Sequence, residues 1–149
     1  MPARSAGILL YRDRDGVREV LLVHPGGPFW AKRDAGAWSI PKGEYADDED
    51  PRDCALREFE EELGAPLAAG ELVELGSVRQ RSGKVVTAWA AEGDLDPAGI
   101  RSNTFELEWP PRSGRVREFP EVDRAAWFSL EEAREKLVAA QAELLSRLP

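Results

Sequence analysis

The sequence predicts an α+β fold in which helices flank the faces of a mixed β-sheet. Three observations lead there. Short apolar segments bounded by turn residues recur along the chain, which is the pattern of strands. Two other segments carry apolar residues at helical spacing, each with its own start signal. The chain has 149 residues, 42% of them hydrophobic, which is enough for one core and does not call for a second. One domain over residues 1–149 is therefore expected.

Ala6 to Tyr11 and Glu19 to Val23 are apolar and flank a turn-like stretch from Asp13 to Gly16, so they read as an antiparallel hairpin. His24 to Ala37 carries Pro25, Gly26, Gly27, Pro28 and Gly36 and reads as an irregular surface loop. A helix is expected from Pro51 to Leu63, because Asp50 suits the N-cap, Pro51 the first helical position and Gly64 the termination. Leu72 to Gln80 and Val85 to Ala90 form a second expected hairpin, followed by a polar loop from Asp94 to Gly99. Thr104 to Trp109 and Arg124 to Phe128 are weaker strand patterns. Ser129 with Glu132 makes a capping box, and Leu130, Ala133, Leu137, Ala140 and Leu144 extend the helical spacing toward the C-terminus. A second helix is expected over that whole stretch.

Charge narrows the functional classes. The net charge of −8 repels polyanions and argues against a broad nucleic-acid-binding face. Cys54 is the sole cysteine, which rules out an intramolecular disulfide or a thiolate metal cluster and fits a reducing cytoplasm. The first apolar run is only a few residues long and is followed at once by Arg12 and Asp13, so neither a signal peptide nor a membrane span is expected. These points make a soluble, cytoplasmic protein the expectation.

Within the first helix, about 100° per residue puts Leu56, Phe59 and Leu63 on one face and Glu58, Glu61 and Glu62 roughly opposite. Each like-charge pair at this spacing costs roughly a few tenths of a kcal/mol. Two readings fit: a solvated acidic face, or a site for a hard dication such as Mg²⁺ or Mn²⁺, whose remaining positions go to waters and phosphates.

The wider spacing favours the second reading. Gly43, five residues, Glu49, seven residues, then Arg57-Glu58-Phe59-Glu60-Glu61-Glu62-Leu63-Gly64-Ala65 resembles the Nudix box, with every fixed residue present and only Ala65 smaller than the usual final apolar residue. The resemblance implies the Nudix fold, an α/β/α sandwich around a mixed sheet, and metal-dependent hydrolysis of a phosphoanhydride bond. It also implies Glu61 and Glu62 as metal ligands, Glu58 as ligand or base, a Gly43 carbonyl completing the sphere and Arg57 orienting Glu58. A further acid from a later loop is implied, with Glu121 favoured over Glu118 and Asp123. For His24 a general base, a loop hydrogen bond and a substrate contact all stay open.

Trp38-Ser39-Ile40-Pro41-Lys42-Gly43 is similar to the W-x-x-P-K-G stretch of Nudix hydrolases acting on dinucleoside polyphosphates. Lys42 is suited to meet a phosphate, while Trp38 is open to packing or to substrate contact. Phe29, Trp30 and Lys32 are open in the same way, to base stacking and phosphate contact or to loop packing. The stretch from His24 to Tyr45, with Asn103 to Gly114, resembles a bacterial Nudix subgroup described as NTP pyrophosphohydrolases. Arg112 and Arg115 read as solvated loop charges or phosphate contacts. The expected substrate is a dinucleoside polyphosphate or nucleoside triphosphate. The alternatives are an RNA 5′ pyrophosphohydrolase or a non-catalytic nucleotide-binding regulatory module. Monomer and homodimer both remain open.

Overall fold

The computed structural model describes residues 3–68 and 70–149. Strands β1 (Arg4–Arg14) and β2 (Val17–Pro25) form the first hairpin, and β4 (Val73–Arg79) and β5 (Val85–Glu92) the second. With β8 (Val122–Ser129) they make a sheet in the order β4-β5-β1-β2-β8. β1 runs parallel to β5 and antiparallel to β2, so the sheet is mixed. Period-2 alternation along β1 sends Ile8 and Leu10 to one face and Leu9 to the other, which gives the sheet two apolar faces to cover.

Helix α1 (Pro51–Leu63) covers one face with Cys54, Ala55, Phe59 and Leu63. Its ends are fixed as the sequence demands. The Asp50 carboxylate accepts from the amides of Arg52 at 2.8 Å and Asp53 at 3.3 Å, and Gly64 closes the helix with a left-handed φ of 81°. The other face is covered by Ala133 of α2 (Leu130–Lys136), by Leu137, and by Leu144 and Leu145 of α3 (Ala142–Leu145).

The expected single C-terminal helix is not formed. Its backbone turns extended at Leu137, with φ −68° and ψ 147°, because Lys136 and Val138 exchange hydrogen bonds with the backbone of Trp38 at 2.9 and 2.8 Å. A 3₁₀ turn, Ala139–Gln141, follows before α3. Apolar spacing continued through the break, but the tertiary pairing decided the backbone.

Two short elements were not foreseen. Strand β3 (Lys42–Glu44) pairs antiparallel with β1 at Ser5, Ala6 and Gly7, where β2 has left β1. Ser39 bridges to Val23 on the β2 side, so residues 39–44 wedge between the two diverging strands. Strand β7 (Val116–Pro120) pairs with β6 (Thr104–Glu108) as a separate two-stranded arm. Among the described residues no helix is long and apolar enough to cross a membrane.

Candidate active site

The wedge of residues 39–44 lies against α1, and this contact builds the site. Glu58 and Glu62 are only 9% and 7% exposed, so they do not stand on a solvated face opposite the core as the periodicity alone implied. β3 covers that flank of the helix, and Leu56 takes a half-buried position at its margin. Glu62 accepts the Lys42 amide at 3.2 Å. Glu58 packs over Gly43: a Cβ there would lie 1.9 Å from the Glu58 carboxyl carbon, so only glycine leaves room for the carboxylate against the strand.

Arg57 organises the carboxylates around it. Its guanidinium donates to Glu49 at 2.9 and 3.0 Å, to Glu58 at 2.9 Å and to Glu61 at 3.2 Å. This concentration of acceptors raises the Arg57 pKa above its ordinary value, with the Glu49 hydrogen bonds the largest cause. Burial raises the Glu58 carboxyl above its ordinary value, aided by the negative charges of Glu61 and Glu121. Burial pushes Glu62 up to about 8 against the opposing pull of Lys42, and burial lowers Lys42. Crowded carboxylates kept from water in this way are a recognised mark of a functional site.

A cleft of about 250 Å³ opens beside these groups, lined by Lys42 and Glu62, by Glu121, by Trp30 and by the amides Gln80 and Gln141. Of the three later acids, Glu121 is the one in the cleft. Glu118 is exposed on β7, and Asp123 is 2.9 Å from the His24 ring. His24 is fully buried, and its Nε2–H donates to the Arg33 carbonyl at 2.6 Å, so this side chain is tied into the loop. Trp38 is 4% exposed, its indole N–H donates to Asp34 at 2.8 Å, and its ring packs edge-on against His24 and Phe128. Of its two readings, packing describes its surroundings. Arg112 and Arg115 lie at the exposed turn of the β6–β7 arm, and Lys32 on the exposed loop surface.

Gln141 was missed by sequence reasoning. It is fully buried, accepts the Ile40 amide at 3.0 Å and donates to Ser39 and Gln80 at 3.1 and 2.9 Å, closing one wall of the cleft. A lone glutamine in an apolar stretch carries no signal of that role.

The donor set suits a hard dication in type, since Glu58, Glu61, Glu62 and Glu121 offer carboxylate oxygens and Gly43 a carbonyl. Among the described residues, no three His, Cys, Asp or Glu side chains already form a metal-holding group. Arg57 holds Glu58 and Glu61, and the Lys42 amide holds Glu62, instead. Cys54 lies under the same wedge, with Sγ 3.4 Å from the Gly43 carbonyl, and burial pushes its thiol up to about 11. A raised pKa keeps the thiol protonated through neutral pH, and the thiolate is the reactive form. A chromogenic disulfide reagent at pH 8 is therefore expected to label no thiol in the folded protein and one per chain in denaturant. Rapid labelling of the folded protein would show that the wedge opens.

The comparisons with known proteins bear on the fold and the family. The chain is 38% identical over 66 residues to an RNA pyrophosphohydrolase of Hahella chejuensis (strain KCTC 2396), a match covering 41% of each chain. It thus spans less than half the length of that relative. Among solved structures, an Ap4A hydrolase binary complex from C. elegans superposes with a TM-score of 0.68 at 24% identity, covering 97% of this chain and 93% of that one. The NUDIX domain of Shewanella oneidensis NrtR, complexed with ADP ribose, gives 0.64 at 16% identity, covering 99% and 86%. At these identities the likenesses show the fold, the helix-flanked mixed sheet described above. A family model described as NUDIX domain matches residues 1–148, nearly the whole sequence, so the chain belongs to the Nudix family.

Proposed function

We propose that the chain hydrolyses a phosphoanhydride bond in a nucleoside diphosphate-linked compound, a dinucleoside polyphosphate or a nucleoside triphosphate, with Mg²⁺ as cofactor and Mn²⁺ as a substitute. The observation that carries the reading is that Glu62 of the box lines one cleft with Lys42 and Glu121, while Glu58 stands close enough to Glu61 and Glu121 to feel their charge. In this reading Glu61 and Glu62 hold the ion, Glu58 is a further ligand or the base, and Glu121 and the Gly43 carbonyl add oxygen donors. Bound there, the ion supplies Lewis acidity and offsets phosphate charge. Arg57 holds Glu58 and Glu61 in place. A Glu58 carboxylate above its ordinary pKa is a better proton acceptor from water. Lys42, held in the low-dielectric wedge, attracts the phosphate oxygens more strongly than it would in water. Water adds to phosphorus as the bridging P–O bond breaks, and the departing phosphate takes the electron pair.

Hydrolysis of RNA 5′ ends is a second reading, favoured by the name of the Hahella relative. RNA binding draws on a basic track beside the site, and the net charge of −8 weighs against one. The complete set of box residues weighs against a non-catalytic regulatory module.

The test is a panel of nucleoside triphosphates, dinucleoside polyphosphates, nucleotide sugars and 5′-triphosphorylated RNA, each with Mg²⁺, Mn²⁺ or EDTA. Turnover of one nucleotide class with Mg²⁺, abolished by EDTA, is expected. Turnover of RNA alone would replace the first reading with the second, and no turnover of any compound would end both.

A further inference from the structure

We propose that Trp30 is the platform on which the base of a nucleotide stacks, and that the β6–β7 arm holds it in position; the phosphate end of this inference rests on the hydrolase reading above. Large aromatic side chains are usually buried. Trp30 nevertheless remains 38% exposed and its neighbour Phe29 62%. Trp30 also lines the same cleft as Lys42, Glu62 and Glu121. One cavity therefore offers an indole surface together with a cation and metal-suited carboxylates. That combination complements a ligand with a flat aromatic group joined to a polyphosphate.

The loop that carries Trp30 is irregular but well tied. The Gly26 amide donates to the Glu121 carbonyl at 2.9 Å, and His24 donates to the Arg33 carbonyl at 2.6 Å. Asp34 accepts from the Trp38 indole and from Lys136. The Arg33 guanidinium sits 5.4 Å above the Trp30 ring, a cation–π contact. Trp30 is thus pinned through its backbone on both sides, which lowers the ordering cost that a ligand would otherwise meet.

The arm adds a brace from a distant part of the chain. It does not join the main sheet. Its Phe105 ring lies against Gly27, and its Trp109 packs edge-on against Phe29 with centroids 5.5 Å apart. Phe105 and Phe119 pair across the arm at 6.0 Å. Two aromatic side chains of the arm, Phe105 and Trp109, therefore rest on the loop that presents Trp30. This arrangement gives the arm a role that the hydrolytic groups do not use.

Calorimetry with Mg²⁺ and two probes tests the proposal: adenosine 5′-(β,γ-imido)triphosphate, which has a base, and inorganic tripolyphosphate, which has none. Trp30→Ala is expected to weaken the nucleotide about ten- to a hundredfold, the usual loss of a stacking partner, and to leave tripolyphosphate unchanged. Trp30→Phe, which keeps a ring, is expected to recover most of the affinity. Quenching of tryptophan fluorescence by the nucleotide is expected to shrink in Trp30→Phe, which gives a readout on a conservatively altered chain. Equal losses for both probes, no loss for either, or undiminished quenching in Trp30→Phe would overturn the platform. If the wild type binds the nucleotide yet hydrolyses nothing in the panel, the hydrolase reading fails and the platform stands. If the wild type binds tripolyphosphate as tightly as the nucleotide, the platform alone fails.

Discussion

Glu58→Gln is expected to lower kcat by about 10²- to 10⁴-fold on whichever substrate the panel selects, the usual range for losing a general base. The amide keeps the size of the carboxylate and can still accept from Arg57, which donates to it at 2.9 Å. It loses the negative charge and the basicity. Because Glu58 is 9% exposed and repelled by Glu61 and Glu121, removing its charge relieves crowding. The melting temperature is therefore expected to hold or rise while activity collapses. KM should change little, since Lys42 and Trp30 are untouched. Steady-state kinetics beside a thermal melt decide the matter. A loss smaller than about tenfold would remove Glu58 from the chemistry, because general bases contribute far more.

Gly43→Ala is expected to cost about a hundredfold in kcat without removing any charged group, since a misplacement of about 1 Å at reacting groups has that scale. The added methyl would sit 1.9 Å from the Glu58 carboxyl carbon and 2.2 and 2.3 Å from its oxygens. The carboxylate must then leave its place over the strand. Circular dichroism should show α1 intact, because its caps at Asp50 and Gly64 are remote from the change. If the effect runs through Glu58, Gly43→Ala in a Glu58→Gln background should cost much less than in the wild type. Strictly additive losses would mean that Gly43 acts by another route.

Much of this site is legible in the sequence because α1 is a local structure. Asp50, Pro51 and Gly64 fix its ends through contacts within a few residues, and its carboxylate spacing follows from helical geometry. β3 is not legible. Three residues carry no alternation, and its place depends on β1 and β2 parting company. That long-range event decided that Glu58 and Glu62 would be buried. β7 is hidden for a related reason, since four of its five residues are exposed and show no apolar period. Glu121 could be picked out by resemblance, but its presence in the cleft comes from the β7–β8 connection, where its carbonyl accepts the Gly26 amide. For Trp38 the sequence left packing and substrate contact open; Asp34 is a local partner, but the packing against His24 of β2 and Phe128 of β8 comes from the sheet.

The Gln141 side chain holds together Ile40, Ser39 and Gln80, residues made long before it. These contacts span 61 to 102 positions of sequence, so the wall that Gln141 closes belongs to the domain folding as one unit. Without that glutamine docked, the Ile40 amide lacks its partner and the cleft lacks a wall. The pocket is therefore completed only when the C-terminal segment packs against the sheet, a dependence that the locally capped helix α1 does not share.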